Sequence, residues 1–195
     1  MDLDSLKLIK DNRCVKRKVS TCENVSKKTR YLKYGETISS PTVSTETAMT
    51  KIMIDTIEGR DTAMCEVPGA FLHSEMPKDK RVIMKLQGGL FDIICEFNPC
   101  FKHHVCYKNR QKVLYVLFLK VIYGCIESYL MWYDLYVSTL EGVYFEIIPY
   151  YRYVANTIID GKYFTLVWYV DDNNLSHKYP KVVTEILEAL KKNFE

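Results

Sequence analysis

The segment from Lys162 to Val170 limits the possible folds more than any other part of the sequence. It consists largely of β-branched and aromatic residues, which favour an extended strand. Asp160-Gly161, a pair typical of a two-residue hairpin turn, precedes it. The polar run Asp171 to Asn174 follows it and predicts a second turn. A strand between two tight turns pairs antiparallel with its neighbours, so this region predicts antiparallel hairpins.

Three other segments show helical periodicity. Ser44 is a suitable N-cap and Gly59 a stop for a helix near 45–58, and a second helix is predicted from Cys125 to Leu140. Pro180, at its favoured first position, opens a third helix. Apolar residues recur at helical spacing at Ala48, Met49, Ile52, Met53 and Ile57; at Ile126, Tyr129, Leu130, Tyr133, Tyr136, Val137 and Leu140; and at Val183, Ile186, Leu187, Leu190 and Phe194. Helices alternating with hairpins predict an α+β fold, an antiparallel sheet with helices packed on one face.

Further short strands are predicted by β-branched and apolar runs at 62–67, 81–86, 113–119, 143–148 and 151–158. The stretch between the second and third of these contains Gly88-Gly89 and Pro99, and we expect it to be irregular. It also holds a group of potential zinc ligands: Cys95, Cys100, His103, His104 and Cys106. Their spacing matches none of the usual ligand pairs, which favours a loop that happens to carry these residues.

Charge is concentrated at the start of the chain. The net charge is +3, yet residues 1–34 contain ten Lys or Arg against four Asp or Glu. Lys27, Lys28 and Arg30 suit a phosphate backbone, although a solvated arm has the same composition. We therefore predict a basic, partly flexible N-terminal arm over 1–34 and one domain over 35–195.

The sequence also predicts a compartment. The seven cysteines are scattered and include no Cys-x-x-Cys pair, which is typical of reduced thiols. Met1 to Asp4 begins no secretory signal, and Lys120 interrupts the longest apolar run. We expect an intracellular protein, in the cytoplasm or the nucleus, that has no membrane partner.

The adjacent aspartates Asp171 and Asp172 allow two interpretations. Carboxylates at a hairpin tip are common in soluble polar turns. Alternatively, with Glu66, which ends a predicted strand, they hold Mg²⁺, because magnesium takes a few protein carboxylates together with substrate phosphates.

Four segments together resemble the reverse transcriptases of copia-type retrotransposons. Tyr169-Val170-Asp171-Asp172 is similar to the (Tyr/Phe)-x-Asp-Asp signature of these enzymes. The other three segments lie in the family's order: Ser40-Pro41-Thr42-Val43, Val67-Pro68-Gly69-Ala70-Phe71-Leu72-His73, and Leu119-Lys120-Val121-Ile122-Tyr123-Gly124 followed by Trp132-Tyr133. Each motif alone is weak, whereas four in order are specific. The resemblance implies the fingers and palm of an RNA-directed DNA polymerase, truncated before the thumb.

The resemblance also implies roles for individual residues. Glu66, Asp171 and Asp172 would be the catalytic carboxylates that hold two Mg²⁺ ions. Phe71, Tyr123 and Gly124 would contact the incoming deoxynucleoside triphosphate, and for Phe71 the alternative is an aromatic anchor of the turn. Lys27, Lys28 and Arg30 would contact the nucleic acid. The implied partners are an RNA template, a DNA primer and deoxynucleoside triphosphates.

The chain departs from the family pattern in several places. Glu66 stands where the family has aspartate, and Asn173-Asn174 replace apolar strand residues. The Gln and Pro that follow the Tyr-Gly pair in the family are absent, and Ile126, Glu127 and Ser128 stand nearby. We therefore expect a polymerase domain that is weakly active or inactive alone. The alternatives are a non-catalytic nucleic-acid-binding remnant and a fragment that scarcely folds.

Overall fold

The computed structural model describes residues 6–8, 42–77, 82–125 and 128–194. In chain order the elements are β1 (Leu6–Leu8), α1 (Thr45–Glu58), β2 (Asp61–Glu66), α2 (Ala70–His73), β3 (Ile83–Gln87), α3 (Gly89–Phe97), a 3-10 helix (Pro99–His104), β4 (Cys106–Lys108), β5 (Gln111–Phe118), α4 (Ser128–Gly142), β6 (Glu146–Ile148), β7 (Tyr151–Ile159), β8 (Lys162–Tyr169), β9 (Asp172–His177) and α5 (Pro180–Asn193). The chain forms two compact units: one contains β1 and residues 75–121, and the other contains residues 42–74 and 122–194. We call them the four-stranded and the five-stranded unit. The mixture of helices with antiparallel sheets agrees with the predicted α+β class.

In the four-stranded unit, β5 pairs antiparallel with β1, β3 and β4. Its core joins residues of β3 and β5 to Phe91, Ile94 and Cys95 of α3 and to Phe101. The spacing of those α3 residues is helical, and Gly88 begins the helix with a φ of +62°. The prediction of an irregular stretch here is therefore wrong. Packing of the apolar face of α3 against the sheet stabilises the helix by more than the adjacent glycines destabilise it.

The Cys/His group is dispersed over that helical region. Cys95 is buried in the core, where burial raises the pKa of its thiol, and Cys100 is exposed. Within residues 6–8, 42–77, 82–125 and 128–194, no three Cys, His, Asp or Glu side chains are gathered so that they could hold a metal ion. None of the described helices is both long and apolar enough to cross a membrane.

The five-stranded unit has an antiparallel sheet of order β2-β9-β8-β7-β6. The β7–β8 hairpin turns at Asp160-Gly161, as predicted, and both residues have positive φ. The predicted polar turn at 171–174 is partly wrong, since only Val170 and Asp171 form the turn and Asn173 and Asn174 lie within β9. The sequence did not predict β9 because its polar side chains form hydrogen bonds with residues that are distant in sequence.

Helices lie on both faces of this sheet. On one face, Tyr136 of α4 contacts Trp168 of β8 with ring centroids 5.4 Å apart, and Phe194, which follows α5, contacts Tyr136. On the other face, Arg60, just after α1, donates to Thr165, and adjacent strand residues alternate between faces. The predicted one-sided packing therefore holds for α4 and α5 and fails for α1.

Helix α1 has the predicted bounds. Its apolar residues, however, do not face the sheet as the pattern predicts. Ser44 Oγ caps its start by accepting from Thr47 N, and Gly59 ends it with a φ of +58°. Its buried residues are Lys51 and Asp55, whereas Met53 is 63% and Ile57 81% exposed. Lys51 Nζ lies 2.7 Å from Asp55 Oδ2 and also donates to Asn174 Oδ1, so an ion pair and a side-chain amide join the helix to β9.

Candidate active site at the β8–β9 hairpin

The turn that carries the two aspartates is strained. Tyr169 of β8 pairs with Asp172 of β9, which leaves Val170 and Asp171 as a two-residue turn. Val170 has a φ of +58°, a conformation that suits glycine and that a β-branched side chain rarely adopts. Such a residue costs about 1–3 kcal/mol and persists only where its surroundings hold it.

Three hydrogen bonds hold this turn. Trp132 Nε1 donates to Val170 O at 2.6 Å, from an indole that is only 2% exposed. The carbonyl oxygen of Asp171 accepts from Val67 N and from Asn173 Nδ2, both at 2.9 Å. The backbone around the aspartates is thus fixed by α4, by the residue after β2 and by β9.

Asn173 connects these supports. Its side chain is 1% exposed, and its Oδ1 accepts from the hydroxyl of Tyr136 on α4. Its Nδ2 also approaches Cys65 O at 3.4 Å. Burial strongly raises the pKa of Tyr136, so this hydroxyl stays protonated and donates. One amide therefore joins α4, β2 and the turn.

We expect Asn173→Leu to lower the free energy of unfolding by about 2 kcal/mol, because it leaves the buried Tyr136 hydroxyl without an acceptor. Urea denaturation followed by circular dichroism measures this loss. The double variant Asn173→Leu with Tyr136→Phe removes both partners and should recover part of the loss. Equal destabilisation of the single and double variants would contradict the assigned role of the hydroxyl.

The register of β2 and β9 brings two of the three predicted carboxylates together. Glu66 is the direct partner of Asp172, so both side chains leave the same face of the sheet, and both are exposed. Asp171 adjoins them, since its carbonyl oxygen bonds to the residue after Glu66. Carboxylate oxygens suit Mg²⁺ chemically. However, the three side chains are not gathered into a group that could hold a metal ion as they stand, a statement that covers the described part of the chain.

Tyr123 belongs to the same place. Its side chain is 54% exposed, and its hydroxyl lies close enough to Asp171 and Glu66 for their charges to act on it. Partial burial of the hydroxyl raises its pKa, and the negative charges of Asp171 and Glu66 raise it further. At neutral pH Tyr123 is therefore an uncharged hydroxyl beside the acidic groups.

Phe71 lies beneath Tyr123. It is 1% exposed, and its ring contacts those of Tyr123 and Tyr129 at centroid distances of 4.5 and 5.0 Å. This is the geometry of an aromatic anchor, the alternative that the sequence left open for this residue. Gly124 is exposed in the turn before α4 and has a φ of +90°. Lys27, Lys28 and Arg30 lie outside the described residues, as do Ser40 and Pro41.

Sequence reasoning missed the residues that hold the site in place. The sequence marks Trp132 only as part of a motif, and it marks Asn173 only as part of a polar turn and as a departure from the family pattern. Both residues have a hydrogen-bonding side chain at a position that the helix or strand pattern buries, and this combination could have indicated a structural role. No protein-family model, curated protein or solved structure matches the chain.

Proposed function

We propose that the chain is the fingers and palm domain of a copia-type retrotransposon reverse transcriptase, an RNA-directed DNA polymerase. The observation that carries the proposal is the pairing of Glu66 with Asp172 beside the turn that holds Asp171. These positions are more than 100 residues apart in sequence, yet they are adjacent in the sheet. The motif order predicts this adjacency, and a soluble polar turn does not require it.

The carboxylates are suited to a cationic partner. Glu66 and Asp172 are opposed across a ladder, an arrangement that destabilises like charges. A bound divalent cation would offset that repulsion. In the proposal Glu66, Asp171 and Asp172 would hold Mg²⁺, and the bound metal would supply activation of the attacking 3′-hydroxyl and stabilisation of the leaving pyrophosphate.

The chain's own residues then orient the reactants. Tyr123, with Phe71 supporting its ring, and Gly124 form an accessible surface for the deoxynucleoside triphosphate next to Asp171. The support of the turn by Trp132 and Asn173 limits movement of Asp171, and positioning within about 1 Å is what such chemistry needs. Lys27, Lys28 and Arg30 complete the proposal as contacts for the RNA template and DNA primer.

Primer extension on an RNA template tests this function. We expect slow incorporation of deoxynucleotides in Mg²⁺ or Mn²⁺ that Asp171→Asn abolishes. Asp160→Asn is the matched control, since Asp160 is an exposed aspartate in the β7–β8 turn and should leave incorporation unchanged. Incorporation that survives Asp171→Asn would show that the chemistry lies elsewhere.

A second candidate is a non-catalytic nucleic-acid-binding remnant. One observation favours it: within the part of the chain that is described, the carboxylates do not gather into a three-ligand group. This candidate predicts binding of an RNA–DNA duplex that weakens with salt, and no incorporation by either the parent chain or Glu66→Asp. Incorporation by the Glu66→Asp variant would exclude it.

A further inference from the structure

A second feature of the five-stranded unit is a cavity of about 650 Å³ between α1 and strands β7 and β8. Apolar atoms supply most of its wall area, and its aliphatic lining residues are Ile54 of α1, Ile148 of β6, Val154 of β7 and Val167 of β8. None of Glu66, Asp171 and Asp172 lines it. The volume lies in the range of small-molecule sites, about 300–1,000 Å³.

Polar side chains line the cavity both from α1, which supplies Glu46, Thr47 and Thr50, and from the strands. Asn156 and Thr165 are direct partners in the β7–β8 ladder, and Val154 and Val167 are the next such pair on the same face. Arg60 Nη1 donates to Thr165 Oγ1 at 2.9 Å. The ladder therefore places a polar section, Asn156 and Thr165, next to an apolar section, Val154 and Val167, in the wall of the cavity.

In the polar section the cations already have partners. Lys51 Nζ donates to Asp55 and to Asn174, and Arg60 donates to Glu58 as well as to Thr165. The cavity is lined by three carboxylates, those of Glu46, Asp55 and Glu58, against these two cations, so a ligand anion would meet a net negative wall. This arrangement does not favour an acidic ligand.

In contrast, two hydrogen-bond acceptors among the lining residues have no donor within the described part of the chain. The side-chain oxygens Asn156 Oδ1 and Asp55 Oδ1 are buried and accept no hydrogen bond from any described residue. Asp55 Oδ1 lies 4.0 Å from Arg60 Nη1, beyond hydrogen-bond distance. A buried acceptor without a donor is costly, and the broad terminal torsion of an asparagine lets its oxygen turn toward a ligand.

We propose that this cavity binds a small, flat, mostly apolar molecule that presents an N–H donor to Asn156. The half-exposed rings of Tyr151 and Tyr163, 49% and 57% exposed, line the same cavity and offer faces for stacking. The proposal is independent of the polymerase function, because no residue of the acidic site takes part.

Indole and benzofuran are suitable probes, since they share size and flatness and differ in that indole alone has an N–H group. Titration of the full chain, followed by the methyl NMR signals of Val154 and Val167, measures both affinities. We expect indole to bind about tenfold more tightly than benzofuran, the value of one hydrogen bond to an otherwise unsatisfied acceptor.

Two variants locate the interaction. Asn156→Leu keeps the size of the side chain and should bring the affinity ratio of the two probes close to one. Thr157→Val is the matched control: Thr157 neighbours Asn156 on β7 but lies on the opposite face, so the ratio should persist. A melting curve shows that each variant is folded.

Two outcomes would overturn the proposal. One is an absence of shifts at Val154 and Val167 with indole up to its solubility limit. The other is an equal affinity of the parent chain for indole and benzofuran. A tenfold preference that Asn156→Leu removes and Thr157→Val preserves supports it.

Discussion

Asp55→Ala is expected to lower the free energy of unfolding by about 3–5 kcal/mol, the usual cost of removing one partner from a buried ion pair. Lys51 is 7% exposed, and Asp55 is the group that balances its charge. Burial lowers the pKa of Lys51, and the hydrogen bond and charge of Asp55 oppose that effect. Without Asp55, an ammonium group would remain in the interface between α1 and β9. Urea denaturation at pH 7 measures the loss.

Two controls separate the charge from the packing. Lys51→Met with Asp55→Leu removes both charges and should cost far less than Asp55→Ala alone. Glu46→Ala removes an exposed carboxylate from the same helix that forms no ion pair with a buried cation of the described residues, and its cost should be far smaller. A similar small loss for Asp55→Ala and Glu46→Ala would contradict the burial of the Lys51–Asp55 pair.

The penalty of Asp55→Ala should also depend on pH. The pKa of Lys51 in the folded chain lies below its ordinary value of 10.5, and loss of Asp55 lowers it further. As the pH rises toward 10.5, the folded variant releases this proton while the unfolded chain retains it, so stability is gained. The difference from the parent chain should therefore shrink at alkaline pH, and a constant difference would argue against a charged Lys51.

Glu66→Asp is expected to raise the rate of primer extension in Mg²⁺ by about 100-fold, if the proposed polymerase function is correct. The extra methylene of glutamate displaces its carboxylate by roughly 1 Å, and octahedral Mg²⁺ tolerates little displacement. The position is otherwise suitable, since residue 66 is the ladder partner of Asp172. Single-nucleotide incorporation on an RNA template, at saturating deoxynucleotide, measures the rate.

Glu185→Asp provides the matched control, because Glu185 is an exposed glutamate of α5 outside the acidic site. It should leave the rate unchanged. An unchanged or lower rate with Glu66→Asp, in a variant that unfolds at the same urea concentration as the parent, would remove residue 66 from the chemistry.

Local patterns predicted the elements whose limits depend on adjacent residues. Ser44 and Gly59 delimit α1, Pro180 begins α5 and Asp160-Gly161 turns the β7–β8 hairpin, each as expected. Capping and turn geometry involve only residues near in sequence, so these predictions needed no knowledge of the rest of the chain. The prediction of an irregular stretch at Gly88-Gly89 failed because a helix there is stabilised by the sheet it covers.

The orientation of α1 likewise could not be predicted from residues that are adjacent in sequence. Its apolar residues predicted a helix correctly, but an ion pair and the amide of Asn174 determine which face meets the sheet. Likewise, β9 could not be predicted from Asn173 and Asn174, because their partners Tyr136 and Lys51 come from distant helices. The polar residues of a helix or strand help to predict its structure only when their hydrogen-bonding partners are also near in sequence.

The sequence by itself determined where α1, α4, α5 and the β7–β8 hairpin lie and which three acidic residues are candidates for metal binding. Only the tertiary structure decided that Glu66 opposes Asp172, that Trp132 and Asn173 hold the strained turn at Val170, and that a cavity lies beside α1. The reason is the range of the forces involved. Dihedral preferences and capping act between near neighbours, whereas strand register and the burial of polar side chains depend on residues that only folding brings together.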